Sequence, residues 1–359
     1  MSLPIRYPYA PMEAETADAL PEGGGWLYEP KWDGFRSLVF RDGDQVRVQS
    51  KAGKPLERYF PDVVEAVRAV PAKRFVLDGE IVIPVDGRLS FDELLLRVHP
   101  AESRVRTLAE AHPARLMAFD LLADERGRPL VDLPLEQRRR RLESFGKRYL
   151  GRGKRVALSK ATSSRATAER WLAGGGDGDL DGVVAKRLDL PYRSGERDGM
   201  IKVKRRRTAD CVVGGFRYSS RGRVAGSLLL GLYDDEGLLH HVGFTSSIPA
   251  SLRRAVTDKL ERLIEPPGFT GRAPGGPSRW STERSAEWKP LRPELVAEVE
   301  YDHVTGGRFR HGTRVLRWRP DKAPGQCDMD QIRRTGKSPR KAQREGDEDH
   351  DMRWYEGLA

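Results

Sequence analysis

A first half of α+β character followed by a small all-β barrel is the architecture expected of this 359-residue chain, for three reasons. Short apolar runs bounded by turn residues recur through the first two hundred positions, and amphipathic helical patterns lie between them. After "KVKRRRTAD" (202–210) strand-like segments crowd together around a single helix. With 38% hydrophobic residues, the chain is long enough for two domains, each with its own core.

Taken in order, Phe75–Ile83 ("FVLDGEIVI"), Arg115–Leu122 ("RLMAFDLL") and Gly182–Lys186 ("GVVAK") are signals for buried strands. "SFDELLLRV" opens a helix with Ser90 and has Glu93 three positions on, a capping box. "PLEQRRRRLESF" starts a second helix with Pro134 in its first turn, and "RATAERWLAGGG" runs into a glycine stop. Arg138–Arg141 in the second of these helices are expected to form an ordinary solvated face. Beyond 207, strands are expected at Cys211–Phe216, Ser227–Tyr233, Leu238–Phe244, Leu295–Tyr301 and Arg314–Trp318, with a hairpin turn at Asp235–Gly237. "PASLRRAVTDKLERLIE" is the one helix there, starting near Pro249. Five strands and a helix suit an OB-fold, which commonly binds nucleic acid. The expected limits are 1–207 for the α+β domain, 208–325 for the barrel and 326–359 for a polar tail. That tail switches from basic to acidic and is expected to be partly disordered.

Charge and composition narrow the function. Lys and Arg number 64 against 53 Asp and Glu, a net charge of +11, so the surface attracts polyanions, nucleic acid first among them. Only Cys211 and Cys327 are present, too few for a disulfide framework, and a reducing cytoplasmic setting, associated with the nucleoid, is expected. No signal peptide is visible and nowhere do eighteen apolar residues follow one another, so no membrane span is expected. "TGKS" at 335–338 is not a phosphate-binding loop, because Gln331 stands where that motif needs glycine. "GGGDGDLDG" (174–182) reads as a loop, and the seven His are scattered.

One short stretch is chemically unusual. "YEPKWDGFR" (28–36) isolates Lys31 beside Asp33 and a glycine. A nucleophilic lysine must lose its proton, and an ordinary ammonium near pKa ~10.4 is neutral in only about one molecule per few thousand at pH 7. It therefore needs cationic neighbours, a metal ion or desolvation. Candidate neighbours lie on strands that can converge: Asp78 and Glu80 in "LDGE", Asp181 and Lys186 in "LDGVVAK", Lys202 and Lys204 in "IKVK". Lys202 and Lys204 are two apart, so both face one way in an extended strand and can grip one phosphate; Asp78 and Glu80 share a face for the same reason.

Read together, "YEPKWDGFR", "SKAG" (50–53), "LDGEIV" (77–82), "AFDLL" (118–122), "LDGVVAK" (180–186), "IKVK" (201–204) and "LRWRPDK" (316–322) resemble, in order, the nucleotidyltransferase motifs of ATP-dependent DNA ligases. The resemblance covers the chain to about residue 325 and is greatest to the small stand-alone bacterial C type. It implies an ATP-grasp-like adenylation domain followed by an OB-fold. It also implies an enzyme that seals 5′-phosphate to 3′-hydroxyl nicks in duplex DNA through a lysyl-adenylate. RNA ligases and capping guanylyltransferases share the lysine and are the alternative. A non-catalytic nucleic-acid-binding protein is a rival of another class.

By resemblance, Lys31 attacks the α-phosphate of ATP, with Asp33 in the same catalytic motif. Glu29 lies at the adenine edge, Phe119 stacks on the purine, and Arg36, Lys51 and Lys186 contact the nucleotide. Glu80 and Asp181 hold magnesium or manganese, and Lys202 and Lys204 neutralise the α-phosphate. In the barrel, Arg317, Arg319, Asp321 and Lys322 orient the leaving pyrophosphate, through a domain that closes for the first step and reopens for the later ones. Two positions depart from the family pattern: Lys51 stands where Arg is usual and Asp181 where Glu is usual. The implied substrate is nicked duplex DNA, with Arg205–Arg207 as phosphate contacts. A repair polymerase, primase or end-binding protein is the implied partner, and a monomer the expected state.

Overall fold

The computed structural model describes residues 3–151, 155–174, 180–220, 222–275 and 287–333. Most of the polar tail with its "TGKS" and the middle of "GGGDGDLDG" lie outside the described residues. The chain divides into two compact units, Met1–Arg205 and Arg206–Ala359.

The first unit has eleven strands among its described residues: β1 (Glu15–Ala17), β2 (Trp26–Lys31), β3 (Phe35–Asp42), β4 (Gln45–Ser50), β5 (Arg74–Val82), the short hairpin β6 (Pro84–Val85) and β7 (Arg88–Leu89), β8 (Arg115–Ala123), β9 (Val156–Leu158), β10 (Gly182–Arg187) and β11 (Met200–Lys204). Its helices are α1 (Pro61–Arg68), α2 (Phe91–Arg97), α3 (Glu102–Ala111), α4 (Leu135–Tyr149) and α5 (Arg165–Leu172). Two sheets result, one ordered β1-β11-β10-β2 and the other β4-β3-β5-β8-β9. The second sheet is covered on both faces, which is why its strands are nearly continuous apolar runs. Val39, Phe75, Leu77 and Ile81 enter one core with Phe145 of α4, whereas the alternate residues Leu38, Phe40, Val76 and Leu122 enter another.

Ser90 caps α2 by accepting the Glu93 amide N–H at 3.3 Å, but its own N–H donates to the Ile83 carbonyl at 2.8 Å, so the reciprocal half of the expected capping box is not made. Pro134 is the N-cap of α4 and not part of its first turn. Arg138 and Arg139 correct the expected solvated face, since both are buried. Leu135, Arg138, Arg139, Leu142, Phe145 and Gly146 form the buried stripe of α4, the i, i+3, i+4, i+7 spacing of a core-facing helix. Arg138 makes two 3.0 Å hydrogen bonds to Asp120, so the charge enters the core with its partner.

The second unit runs β12 (Arg207–Ser219), β13 (Gly222–Tyr233), β14 (Leu239–Thr245), α6 (Arg253–Glu261), β15 (Lys289–Pro290), β16 (Val296–Tyr301), β17 (Val304–Thr305), β18 (Arg308–Phe309), β19 (Arg314–Trp318) and α7 (Asp330–Arg333). The main path is β14-β13-β12-β16-β19. A parallel bridge from Thr245 to Thr313 joins its two ends. A five-stranded ring with a helix between its third and fourth strands is the OB arrangement. The helix begins later than Pro249, because the Leu252 amide first closes a turn onto the Pro249 carbonyl at 3.1 Å. The hairpin turn is where composition puts it, with Gly237 at φ +76°. Arg205 is buried at 8% exposure and Arg206 is paired with Glu300 at 2.7 Å, so this basic run is not a freely displayed phosphate-binding strip.

Candidate active site

Residues of both sheets of the first unit line one cleft of about 250 Å³. One side is built by β2, β10 and β11. Register sets Glu29 against Val184 and Val184 against Lys202, a row running across the sheet. Alternation then puts Lys31 and Lys186 on the same face as that row. The other side carries Arg36 of β3, Glu80 of β5 and Phe119 of β8, with Arg36 and Glu80 paired in register. Residues Pro11–Ala14, Trp32, Lys51 and Met200 also line it.

Lys31 ends β2, opposite Gly182. Its amine is ion-paired with the Asp181 carboxylate, and the Asp181 amide donates to the Lys31 carbonyl at 3.1 Å. From there the chain turns through Trp32, Asp33 and Gly34 into β3. Trp32 Nε1 donates to Ser159 Oγ at 2.9 Å, pinning the turn. A Cβ on Gly34 would lie 2.2 Å from the Ile81 carbonyl oxygen and 2.8 Å from Glu80 Cγ. Only glycine lets the turn pass over β5 beside Glu80.

Glu29 is 2% exposed and takes two cations, Lys186 Nζ at 2.7 Å and Arg139 Nη1 at 3.4 Å. Lys186 Nζ also lies 4.3 Å from the Phe119 ring centroid, with the Arg36 guanidinium carbon at 4.6 Å. Arg36 donates to both oxygens of buried Asp78 at 2.6 Å, and Tyr192 Oη donates to the same carboxylate at 2.6 Å. Asp78 thus holds Arg36. Lys51 is half-exposed with Nζ 3.0 Å from Glu13 Oε2. Asp33, Asp181 and Lys204 are not lining residues; Asp181 is tied to Lys31, Asp33 acts on Glu80 and Lys204 on Lys202 through their charges.

The electrostatics suit a polyanion. Burial and then the charges of Lys51, Lys31, Lys204 and Arg197 push the Lys202 ammonium below the usual lysine range. Burial pushes the Glu80 carboxyl up to about 8, although Arg36 and Lys31 pull it back. Burial opposes the Arg36 cation, yet its contact with Asp78 drives its pKa up, so this guanidinium is permanently charged.

In the second unit Arg319 Nη1 lies 2.8 Å from Asp210 Oδ1, Lys322 Nζ 2.7 Å from Asp210 Oδ2 and Arg317 Nε 2.7 Å from Glu298 Oε2. Asp321 bonds Arg319, and that bond holds its carboxyl down at about 2.

Sequence reasoning missed Arg139, Glu13, Arg197 and Tyr192. The helical stripe of α4 carries a signal for Arg139. For Glu13 and Arg197 there is none, because Glu13 meets Lys51 and Arg197 only through tertiary contacts.

An adenylation unit built as two sheets around a cation-lined cleft, followed by an OB barrel, defines a nucleotidyltransferase. Residues 11–204 match the ATP dependent DNA ligase domain, and residues 221–322 match the ATP dependent DNA ligase C terminal region. The chain is 44% identical over 351 residues to DNA ligase C2 of Mycolicibacterium smegmatis, covering 92% of this chain and 96% of that protein. It is 42% identical to DNA ligase C of Mycobacterium tuberculosis, covering 93% and 96%. A solved structure described as "DNA binding with a minimal scaffold: Structure-function analysis of Lig E DNA ligases" aligns with TM-score 0.50 at 15% identity, over 86% of this chain and 99% of that one, a likeness of fold alone. The chain belongs to the ATP-dependent DNA ligase family. Among the described residues no helix is long and apolar enough to cross a membrane.

Proposed function

We propose that Lys31 is the residue that carries AMP, and that the cleft between the two sheets is the ATP site. The observation that carries this reading is the convergence of Lys31, Arg36, Lys186 and Lys202 with Glu29 and Phe119 on one cleft, from segments up to 173 positions apart (29 to 202). The Lys31 amine attacks the α-phosphorus of ATP. A P–N bond forms, the P–O bond to pyrophosphate breaks, and the amine proton leaves toward Asp181, the carboxylate already paired with it. AMP then passes to the 5′-phosphate of a nick, and the 3′-hydroxyl displaces it.

Glu29, held by Lys186 and Arg139, is placed to accept from the adenine amino group. Phe119 offers a π-face to the ring, and Arg36, fixed by Asp78, presents its outer edge to the ribose. Lys202, assisted by Lys204, counters charge that develops at the α-phosphate. Arg317, Arg319 and Lys322, each held by a carboxylate, act on the leaving pyrophosphate.

The carboxylates fit a divalent ion. Glu80 is desolvated enough to hold a proton to about pH 8, so it lacks a full counter-charge that a dication supplies. Among the described residues no three His, Cys, Asp or Glu side chains are grouped for a metal, so substrate oxygens must complete its shell, as is usual for magnesium. Glu80 would hold magnesium or manganese directly and Asp181 through water; the ion would neutralise phosphate charge. DNA repair is the role this reading favours, with the chain acting as a monomer.

Incubation with ATP and magnesium, followed by intact-mass measurement and peptide mapping, tests the reading. An AMP adduct on the peptide that contains Lys31, absent in Lys31→Ala, is expected. An adduct elsewhere, or none while nicks are sealed, would sink it.

A further inference from the structure

We propose that Ser159 is a positioning residue for the AMP-loading step: its hydroxyl seats Trp32 and so sets where Lys31 presents its amine, while its carbonyl seats Arg139 and, through it, Glu29. This rests on the ATP site proposed above and adds to it a single support shared by the nucleophile and the acid at the adenine edge.

Ser159 follows β9 in a short crossing between the two sheets. Leu158 is in register with Ala118 of β8, and the Ser159 amide donates to the Ala118 carbonyl at 2.8 Å. Further along, Thr162 exchanges backbone hydrogen bonds with Tyr28 of β2 at 2.8 and 2.9 Å. The crossing therefore leaves one sheet beside Phe119 and joins the other beside Glu29, the two residues that flank the proposed purine position.

Ser159 is fully buried, where a hydroxyl must find its partners within the protein. Its Oγ accepts the Trp32 indole N–H at 2.9 Å and donates to the Lys160 carbonyl at 3.4 Å. Its own carbonyl accepts from Arg139 Nη2 at 2.9 Å, and Arg139 Nη1 lies 3.4 Å from Glu29 Oε1. Trp32 is the residue after Lys31 and itself lines the cleft. One buried residue thus touches both the turn that carries the nucleophile and the arginine that holds the acid.

The Asp181 amide fixes the Lys31 carbonyl, but β2 ends at Lys31, and the path beyond it is set by the turn through Trp32, Asp33 and Gly34. An indole anchored at Nε1 limits the rotation of that turn. Without the hydroxyl the indole N–H loses its acceptor at Ser159, and the ring gains by moving toward water, taking the adjoining Lys31 with it. Such a displacement harms rate more than binding, because attack on phosphorus tolerates little misplacement of the nucleophile.

The two arms of Ser159 therefore act on different quantities. Loss of the hydroxyl slows AMP loading at saturating ATP and spares the ATP concentration that half-saturates loading, since Glu29, Phe119 and Arg36 keep their places. Loss of the Arg139 arm loosens Glu29 and raises that concentration. A purely structural role for Ser159 would not separate the two.

Single-turnover AMP loading of the full chain with magnesium, followed by intact mass over a range of ATP, reads both quantities. Ser159→Ala is expected to lower the maximal rate about tenfold, with half-saturating ATP unchanged within about twofold. Trp32→Phe, which keeps a ring but has no N–H, is expected to match it, and the double variant to be no slower than either single one, as for two groups that act as a unit. Arg139→Ala is expected to raise half-saturating ATP instead; a parental value there overturns the carbonyl arm. An unchanged maximal rate in Ser159→Ala or Trp32→Phe, losses that multiply in the double variant, or a change confined to half-saturating ATP overturns the hydroxyl arm. Thermal melts report folding, and if Ser159→Ala does not fold, the same split read on Trp32→Phe decides. If the parent chain takes no AMP on Lys31, the ATP-site reading falls, and the role of Ser159 with it.

Discussion

Asp181 holds Lys31 twice: its amide N–H bonds the lysine carbonyl at 3.1 Å and its carboxylate takes the ammonium. One residue therefore fixes both the end of β2 and the position of the amine. This arrangement gives the shorter acid at 181 a task of its own, apart from any contact with a metal.

Asp181→Asn keeps the backbone bond and the volume but removes the charge that meets the amine. A charge-assisted hydrogen bond contributes about 1.5–3 kcal/mol, so AMP loading is expected to slow by about one to two orders of magnitude. Single-turnover adduct formation followed by mass measures it; a wild-type rate would refute the role.

Arg139 and Arg140 are neighbours on α4 with opposite fates. Arg139→Ala leaves Glu29 short of one partner in a buried place and is expected to cost about 3 kcal/mol, together with weaker nucleotide binding. Arg140, exposed, is expected to tolerate alanine within about 0.5 kcal/mol. Denaturant melts of the two variants compare them directly, and equal effects would contradict the buried stripe.

Glu80 sets a pH dependence whose sign is definite. Its folded pKa of about 8 lies above the ordinary 4.5, so the folded chain binds the extra proton between those values. The stability this contributes is fully present below about 4.5 and is lost as pH rises through about 8. Glu80→Gln is expected to remove that slope in thermal melts between pH 5 and 9, read as ~0 change where the parent declines. At limiting magnesium, AMP loading is expected to rise through the same upper limb, with the midpoint moving to lower pH as magnesium is raised. A midpoint independent of magnesium would count against Glu80 as a ligand.

Gly34→Ala inserts a methyl group against the Ile81 carbonyl at 2.2 Å. The turn must move off β5, at a cost of about 1–3 kcal/mol, and Lys31 moves with it. Loss of AMP loading larger than the loss of stability is the expected pattern; an active, fully stable variant would show that the close approach has no consequence.

Short-range signals were sufficient for much of the architecture. The Ser90 cap, the turn at Gly237 and the apolar runs of β5, β8 and β10 depend on neighbours within a few residues, so they stand in the order of the amino acids. The motif order from Lys31 to "LRWRPDK" likewise identified the family. The α4 arginines follow helical period and not charge, since Arg138 and Arg139 fall on the buried stripe.

What the sequence by itself determined was three long strands of the first unit, the five strands and helix of the barrel, and the family to which the motifs belong. Only the folded chain decided which charges meet. Asp78 went to Arg36 and Tyr192, Arg139 to Glu29, and Glu13 to Lys51 and Arg197. Such pairings join positions tens to hundreds of residues apart, and no local preference selects them. They are fixed by strand register and by the need of each buried charge for a partner within reach.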